Sequence, residues 1–173
     1  MENLFISYGD FIMTPREERL RQLNIDIIRY EQVTLDSTWK SDNARNYFTR
    51  LYLIQSGGGE LYCGNETVKM QAGSIYLVPS EYDFGFGCQE SMDKIFFHIL
   101  LPSGEKTDLL SEISRVLTLP DCQDIIDRMT ALYHSPDTVA FLEAKALVYS
   151  ILTRFISCHG LQFSENREFS VLV

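Results

Sequence analysis

Histidine is scarce in this chain of 173 residues: His98, His134 and His159 are the only three, and Trp39 is the only tryptophan. A first-row metal site needs several nitrogen or oxygen ligands converging on one point, and three imidazoles spread over three segments do not supply them. The four cysteines, Cys63, Cys88, Cys122 and Cys158, are as widely spread and include no CxxC pair, so neither a metal nor a redox centre is indicated. Long apolar runs are missing too. Nothing approaches the ~20 residues that a membrane span needs, and no secretory signal opens the chain. A cytoplasmic protein with reduced thiols and no membrane partner is therefore expected. Basic runs are also absent. Fifteen Lys and Arg against 24 Asp and Glu leave a net charge of −9, which repels phosphate. Arg16, Arg19 and Arg21 are interleaved with Glu17 and Glu18 in a solvated, mixed-charge segment. No phosphate loop, nucleophile motif or paired-acid spacing stands out. The triplet 65–67 matches a glycosylation sequon, but without an export signal it reads as a hairpin turn.

What is present is an apolar share of 45%, enough for one domain with an appendage, and a series of short strands between Tyr47 and Leu101. Gly57, Gly58 and Gly59 permit a turn with positive φ. Gly64 and Asn65 separate 60–63 from 66–70 as a two-residue hairpin requires. Gly73 opens the strand 74–78, which stops at Pro79 because proline has no N–H for a ladder. Residues 25–35 read as a strand, 36–46 as a polar loop carrying Trp39, and 46–55 as an alternating strand. One face of that strand holds Phe48, Arg50, Tyr52 and Ile54, and the other Tyr47, Thr49, Leu51 and Leu53. Residues 80–87 read as a twisted strand or bulged loop. In 92–101, Lys94, Phe96 and His98 alternate with Ile95, Phe97, Ile99 and Leu101, apolar enough on both faces to be covered on both. Ahead of all this lies an arm, 1–24, whose Leu4, Phe5, Ile6, Tyr8, Phe11 and Ile12 either lie over these strands or form an extra edge strand.

After Gly104 the period changes to 3.6. Leu109, Leu110, Ile113, Val116 and Leu117 make one stripe of a short helix. Asp121 is placed to cap a second helix ending at Tyr133, and Ser135 and Pro136 to begin a third that stops at Gly160. Apolar residues nearly encircle the third helix, so it needs two partners. The barrel or the preceding helix is one. A second copy of the chain is the other, unless the domain covers the whole helix itself. Leu142, Leu147, Tyr149, Ile151 and Phe155 are the candidate dimerisation residues.

The order of these pieces resembles the small barrel of the cupin superfamily, and more specifically the N-terminal sensor domain of AraC-type bacterial transcription regulators. The resemblance rests on Leu51-Tyr-Leu-Ile-Gln-Ser-Gly-Gly-Gly-Glu-Leu61, Gly64, Ala72-Gly-Ser-Ile-Tyr-Leu-Val-Pro79 and Phe96-Phe-His-Ile99. It implies a mainly β fold with α, a cupin-like antiparallel β-barrel (double-stranded β-helix or jelly roll) followed by a C-terminal helical pair. The divisions would be an arm 1–24, a barrel 25–103, a helical dimerisation segment 104–160, and 161–173 as the start of a linker to an absent DNA-binding domain. It further implies a homodimer and a small-molecule effector, often a sugar or related metabolite. DNA would be reached only through the missing helix-turn-helix domain. Catalytic cupins carry a His-x-His pair and a glutamate in a first motif, and this chain has no histidine between Tyr47 and Glu60. The second frame, Gly73 to Pro79, is kept, but Asp83 and Phe84 stand where a histidine would follow, and Glu81 replaces the usual glycine. Neither catalysis nor a metal or other cofactor is expected.

Barrels of this size enclose one small ligand, in pockets that combine aromatic walls with a few directed polar groups. The candidate ligand set is Phe48, Arg50, Tyr52, Tyr76, Lys94, Phe96 and His98, with Arg45 and Trp39 at the rim. Arg50 and Lys94 offer charge-assisted donors to a carboxylate or a hydroxyl-rich effector, and Tyr52 or Phe96 a stacking face. The set depends on register, because a slip of one residue exchanges it for the opposite face. Two other readings stay open: a stand-alone metal-free cupin that binds or isomerises a sugar, and a structural dimerisation module with a filled barrel.

Overall fold

The structure, a computed structural model, describes residues 14–102 and 108–163. The six apolar arm residues named above lie outside them, as do 164–173. Among the described residues eight strands are laid down in chain order: β1 (Asp26–Asp36), β2 (Lys40–Ala44), β3 (Thr49–Cys63), β4 (Glu66–Gln71), β5 (Ile75–Val78), β6 (Phe84–Gly87), β7 (Ser91–Leu100) and β8 (Leu117–Leu119). They build two antiparallel layers, one in the order β1-β7-β3-β5-β8 and the other β4-β3-β6-β2. The strand common to both is β3. Its first half pairs with β5 and β7, and its second half with β4 and β6.

The glycine triplet is therefore not a turn between strands. Gly57 does take a positive φ of 65°, but it does so inside β3, next to a bulge between Ile54 and Ser56, where the strand leaves one layer for the other. The second glycine signal stands as expected. Gly64, at φ 63°, turns a two-residue hairpin that pairs Cys63 with Glu66. The polar stretch around Trp39 is also not all loop. Lys40 pairs with Gly87 and Ala44 with Phe84, so β2 exists because the edge of β6 supplies ladder partners, although its own residues show no alternation.

Residues 109–117 do not form the expected helix. Asp108, buried, accepts hydrogen bonds from the Leu101 and Leu110 N–H groups and from the Thr49 hydroxyl. This limits the turn to a 3-10 segment, Leu109–Glu112, after which β8 pairs with the open edge of β5. Asp121 does not cap α2 (Gln123–Tyr133). It adopts φ 55°, and Cys122 occupies the cap position without a side-chain bond.

Helix α3 (Thr138–His159) begins later than expected. Asp137, not Ser135, is its N-cap, accepting from the Ala140 N–H at 2.8 Å, and the Ser135 hydroxyl donates to Asp137. Asp137→Ala is expected to lower the melting temperature by about 2–4 °C, the usual effect of one lost cap in a chain of this size. Ser135→Ala should change it less, and calorimetry on the two variants checks the assignment. At its other end α3 stops at Gly160, in the left-handed conformation at φ 59°. In the arm, α1 (Pro15–Gln22) is held by a capping box between Thr14 and Glu17 and buries no residue.

Two cores result. One lies between the layers, among Tyr52, Ile54, Leu61, Met70, Tyr76 and Phe96. The other packs the opposite face of the first layer, with Leu51, Leu53, Leu77, Ile95 and Phe97, against α2 and α3. The second core corrects the dimerisation set. Leu147, Ile151 and Phe155 are spent inside the chain, because the sheet face needs cover and α3 supplies it. Tyr149 packs beside that core, and its hydroxyl accepts from the Ile25 N–H at 2.8 Å and donates to the Asn24 side chain. Leu142 alone of the five stays exposed, with Val139 and Phe141.

Candidate functional site

Directly opposite residues of an antiparallel pair share a face, so the strand register decides what lines the interior. Arg50 faces His98, Tyr52 faces Phe96 and Ile54 faces Lys94 across β3 and β7, while Tyr52 faces Tyr76 across β3 and β5. Arg50, Tyr52, Tyr76, Lys94, Phe96 and His98 of the expected set therefore share one wall, between the layers. The opposite wall comes from Leu61, Met70, Phe84 and Cys88, with Phe86 packed alongside. Sequence reasoning missed that wall, because 80–87 read only as a twisted strand or bulged loop and no face was assigned to it.

Lys94 is the centre of the site. Only 3% exposed, its ammonium lies 3.6 Å from the ring centroid of Tyr52, 4.1 Å from that of Trp39 and 5.8 Å from that of Phe96. Among the described residues it makes no hydrogen bond and no ion pair. Burial, reinforced by the positive charge of Arg50 and opposed by Cys88, pushes its pKa down to about 7. Arg50 is the second cation, 8% exposed, with the rings of Phe48 and Phe84 each 5.0 Å from its guanidinium carbon. Its Nη1 is buried and has no hydrogen-bond partner, and burial lowers its pKa.

The remaining residues divide. His98 stacks on Phe48 with ring centroids 4.2 Å apart and lies 5.0 Å from Phe96. Burial first, then the charges of Arg50, Arg29 and Lys94, push its pKa down to about 4, so the imidazole is neutral near neutral pH. Burial pushes Tyr52 up to about 12. Tyr76 faces inward, but its hydroxyl is engaged by the protein, accepting from the Gln71 N–H and donating to the Lys69 carbonyl. Trp39, stacked on Phe86 at 4.3 Å and edge-on to Tyr52, is a wall of the interior as much as a rim. Arg45 is outside it. Its exposed guanidinium pairs with Glu81 at 3.1 Å and Asp83 at 2.9 Å, so both fork arms are taken. Among the described residues no group of three His, Cys, Asp or Glu side chains is placed to hold a metal, and no helix is long and apolar enough to cross a membrane.

No protein-family model matches the sequence, and no curated protein matches it. Solved structures do. A cupin-2 domain protein from Shewanella frigidimarina matches at TM-score 0.37 and 11% identity, over 52% of this chain and 94% of that one. The fold is an antiparallel β-barrel with C-terminal helices. ToxT from Vibrio cholerae is similar over more of the chain. An apo ToxT K231A structure matches at TM-score 0.53 and 11% identity over 79% of this chain, and a second ToxT structure at 0.50 and 12% over 80%. This chain spans 56% and 60% of the length of those two chains. Identities this low carry the fold alone.

Proposed function

We propose that this chain is the effector-sensing domain of an AraC-type transcription regulator and that it holds a small molecule between its two layers without transforming it. The observation that carries the reading is a pair of buried cations, Lys94 and Arg50, that no carboxylate among the described residues neutralises, inside an aromatic enclosure. A barrel packed only for stability has no use for them, since an unpaired buried charge is costly. The likeness to ToxT, an AraC-type regulator, supports the regulatory context because it covers 79% of this chain at a TM-score of 0.53.

The same strands connect the interior to the helices. Arg50, Tyr52, Lys94 and Phe96 alternate along β3 and β7 with Leu51, Leu53, Ile95 and Phe97, which pack against α2 and α3. Gln55, at the bulge beside Ile54, donates to Thr130 of α2 at 2.8 Å. A ligand that prefers one placement of these strands shifts the helices with them, and one with equal affinity for both placements shifts nothing. The regulator acts as a cytoplasmic homodimer, with Leu142 among the exposed residues left for that contact. DNA is read by a helix-turn-helix domain outside this chain.

The test is a thermal-shift screen of the purified chain against sugars, sugar acids, aromatic acids and divalent metals, with the molecular mass measured in parallel. A bound ligand stabilises by about 2.7 kcal/mol at a hundredfold excess over its dissociation constant. Stabilisation of a dimer by one organic class, with the ligand recovered unchanged, supports the proposal. Turnover of that ligand, or a response to metal alone, sinks it in favour of an enzyme. A stable dimer that answers to nothing favours a structural module.

A further inference from the structure

Two buried cations in one small enclosure repel each other, and among the described residues no carboxylate pairs with either. Among the described residues the ammonium of Lys94 meets ring faces, Nη1 of Arg50 meets no acceptor, and no carboxylate acts on Lys94. Glu81 and Asp83 are already held by Arg45, and Glu31 by Arg29. Tyr76, whose hydroxyl could have hydrogen-bonded a sugar, is tied to the backbone of β4. Taking the effector reading above as given, we infer that the barrel interior takes a ligand with one carboxylate or equivalent oxyanion, seated against Lys94 and Arg50 with its apolar body on Tyr52, Trp39 and Phe96, and discriminates against neutral sugars.

The chemistry fits each side chain. A guanidinium presents N–H donors in a planar fork that matches a carboxylate, and the rings of Phe48 and Phe84 pack against the Arg50 fork and hold it in place. Lys94 adds a compact second donor. Desolvated as these groups are, an anion gains far more from them than it would at an exposed site, whereas a hydroxyl leaves both charges uncompensated.

A second consequence concerns protons. Without ligand, Lys94 loses its proton near neutrality. An anion beside it holds the proton on, so binding above pH 7 takes up a proton and weakens as pH rises, by up to tenfold per unit. The other titratable groups facing Lys94 are Arg50 and Tyr52 of β3, His98 of β7 and Cys88 just before β7, with Arg29 and Glu31 of β1 beyond Phe96. Tyr52 and His98 titrate far from this range, and a Cys88→Ser background removes the thiol from the measurement.

The experiment pairs acids with neutral counterparts: benzoate with benzamide, gluconate with glucose, and hexanoate with hexanamide. Affinities are measured at pH 5.5, 7 and 8.5, with calorimetry in two buffers of different ionisation enthalpy to count protons. At least one acid is expected to bind tenfold or more tighter than its neutral partner. Proton uptake should be near zero at pH 5.5 and approach one at pH 8.5. Lys94→Met should weaken that acid at least tenfold and flatten its pH dependence, and Arg50→Met should weaken it without flattening. Neutral probes binding as well as acids would overturn the inference and leave the effector reading standing. Acid binding without a pH slope, or unchanged in Lys94→Met, overturns it as well. So does failure of all three acids at every pH, and if the wider screen also finds no ligand, the effector reading falls separately.

Discussion

Replacing Lys94 with methionine is expected to make the ligand-free domain more stable, by an amount that is largest below pH 7 and fades toward pH 10. Lys94 is 3% exposed and has no anionic partner among the described residues. In the unfolded chain it titrates at its ordinary value of 10.5, and in the fold near 7. Between those two values the unfolded state holds the extra proton, so stability rises with pH at up to roughly 1.4 kcal/mol per unit. Below pH 7 both states are charged and the penalty is complete. The three aromatic rings around Nζ recover part of it, at about 0.5–2 kcal/mol for a cation over a ring. A thioether of similar volume has no charge to desolvate, and exchanging buried charge for apolar packing gains ~1–4 kcal/mol in comparable cases. Denaturant midpoints at pH 6, 8 and 10 decide it. A variant less stable than the parent at pH 6 would mean that the rings more than compensate the lysine, and the interior would then be a finished core with no need of a ligand.

Gly57→Ala is expected to be among the most damaging single substitutions in the barrel, with a loss on the order of 4 kcal/mol or more. A Cβ at Gly57 would sit 2.0 Å from the Ser91 carbonyl oxygen, a backbone atom that cannot rotate away, and the residue holds φ 65°. Ser91 begins β7, so relieving the clash moves the strand that carries Lys94, Phe96 and His98. Gly64→Ala separates the two contributions. Gly64 has nearly the same φ, 63°, with nothing within 4 Å of the added carbon, and should lose only ~1–2 kcal/mol for the left-handed backbone. Urea denaturation of both variants checks the difference. Equal losses would show that conformation alone matters and that β3 and β7 have room to separate.

The interior wall was legible in the sequence because β3 and β7 alternate without interruption over the residues that line it, and alternation places Arg50, Tyr52, Lys94, Phe96 and His98 on one face once the strands are in register. Other parts depended on contacts that no local pattern records. Lys40 to Ala44 became a strand because β6 offered an edge. Leu109, Ile113 and Leu117 have helical spacing, yet Asp108 bonds the chain into a single tight turn and β5 takes Leu117 to Leu119 as a neighbour. The glycines at 57–59 marked a special backbone, but the pattern for a turn and the pattern for a strand changing layers are the same on paper. The wide apolar arc of α3 called for two partners, and sequence could not tell a second copy from the chain's own sheet. Leu147, Ile151 and Phe155 went to the sheet. Arg45 looked like a free cation until Glu81 and Asp83, some forty residues on, were folded against it.

The cover over the first layer arrives late in the chain. Its apolar face, with Leu51, Leu53, Leu77, Ile95 and Phe97, is complete once β7 ends at Leu100, while the α3 residues that seal it run to Phe155. At ribosomal speeds of ~5–20 residues per second, about 55 more residues take roughly 3–11 s to make. For that interval the nascent sheet presents an oily flank with nothing of its own to lay on it. The demand this domain places on chaperones is thus set by the distance along the gene between its barrel and its last helix.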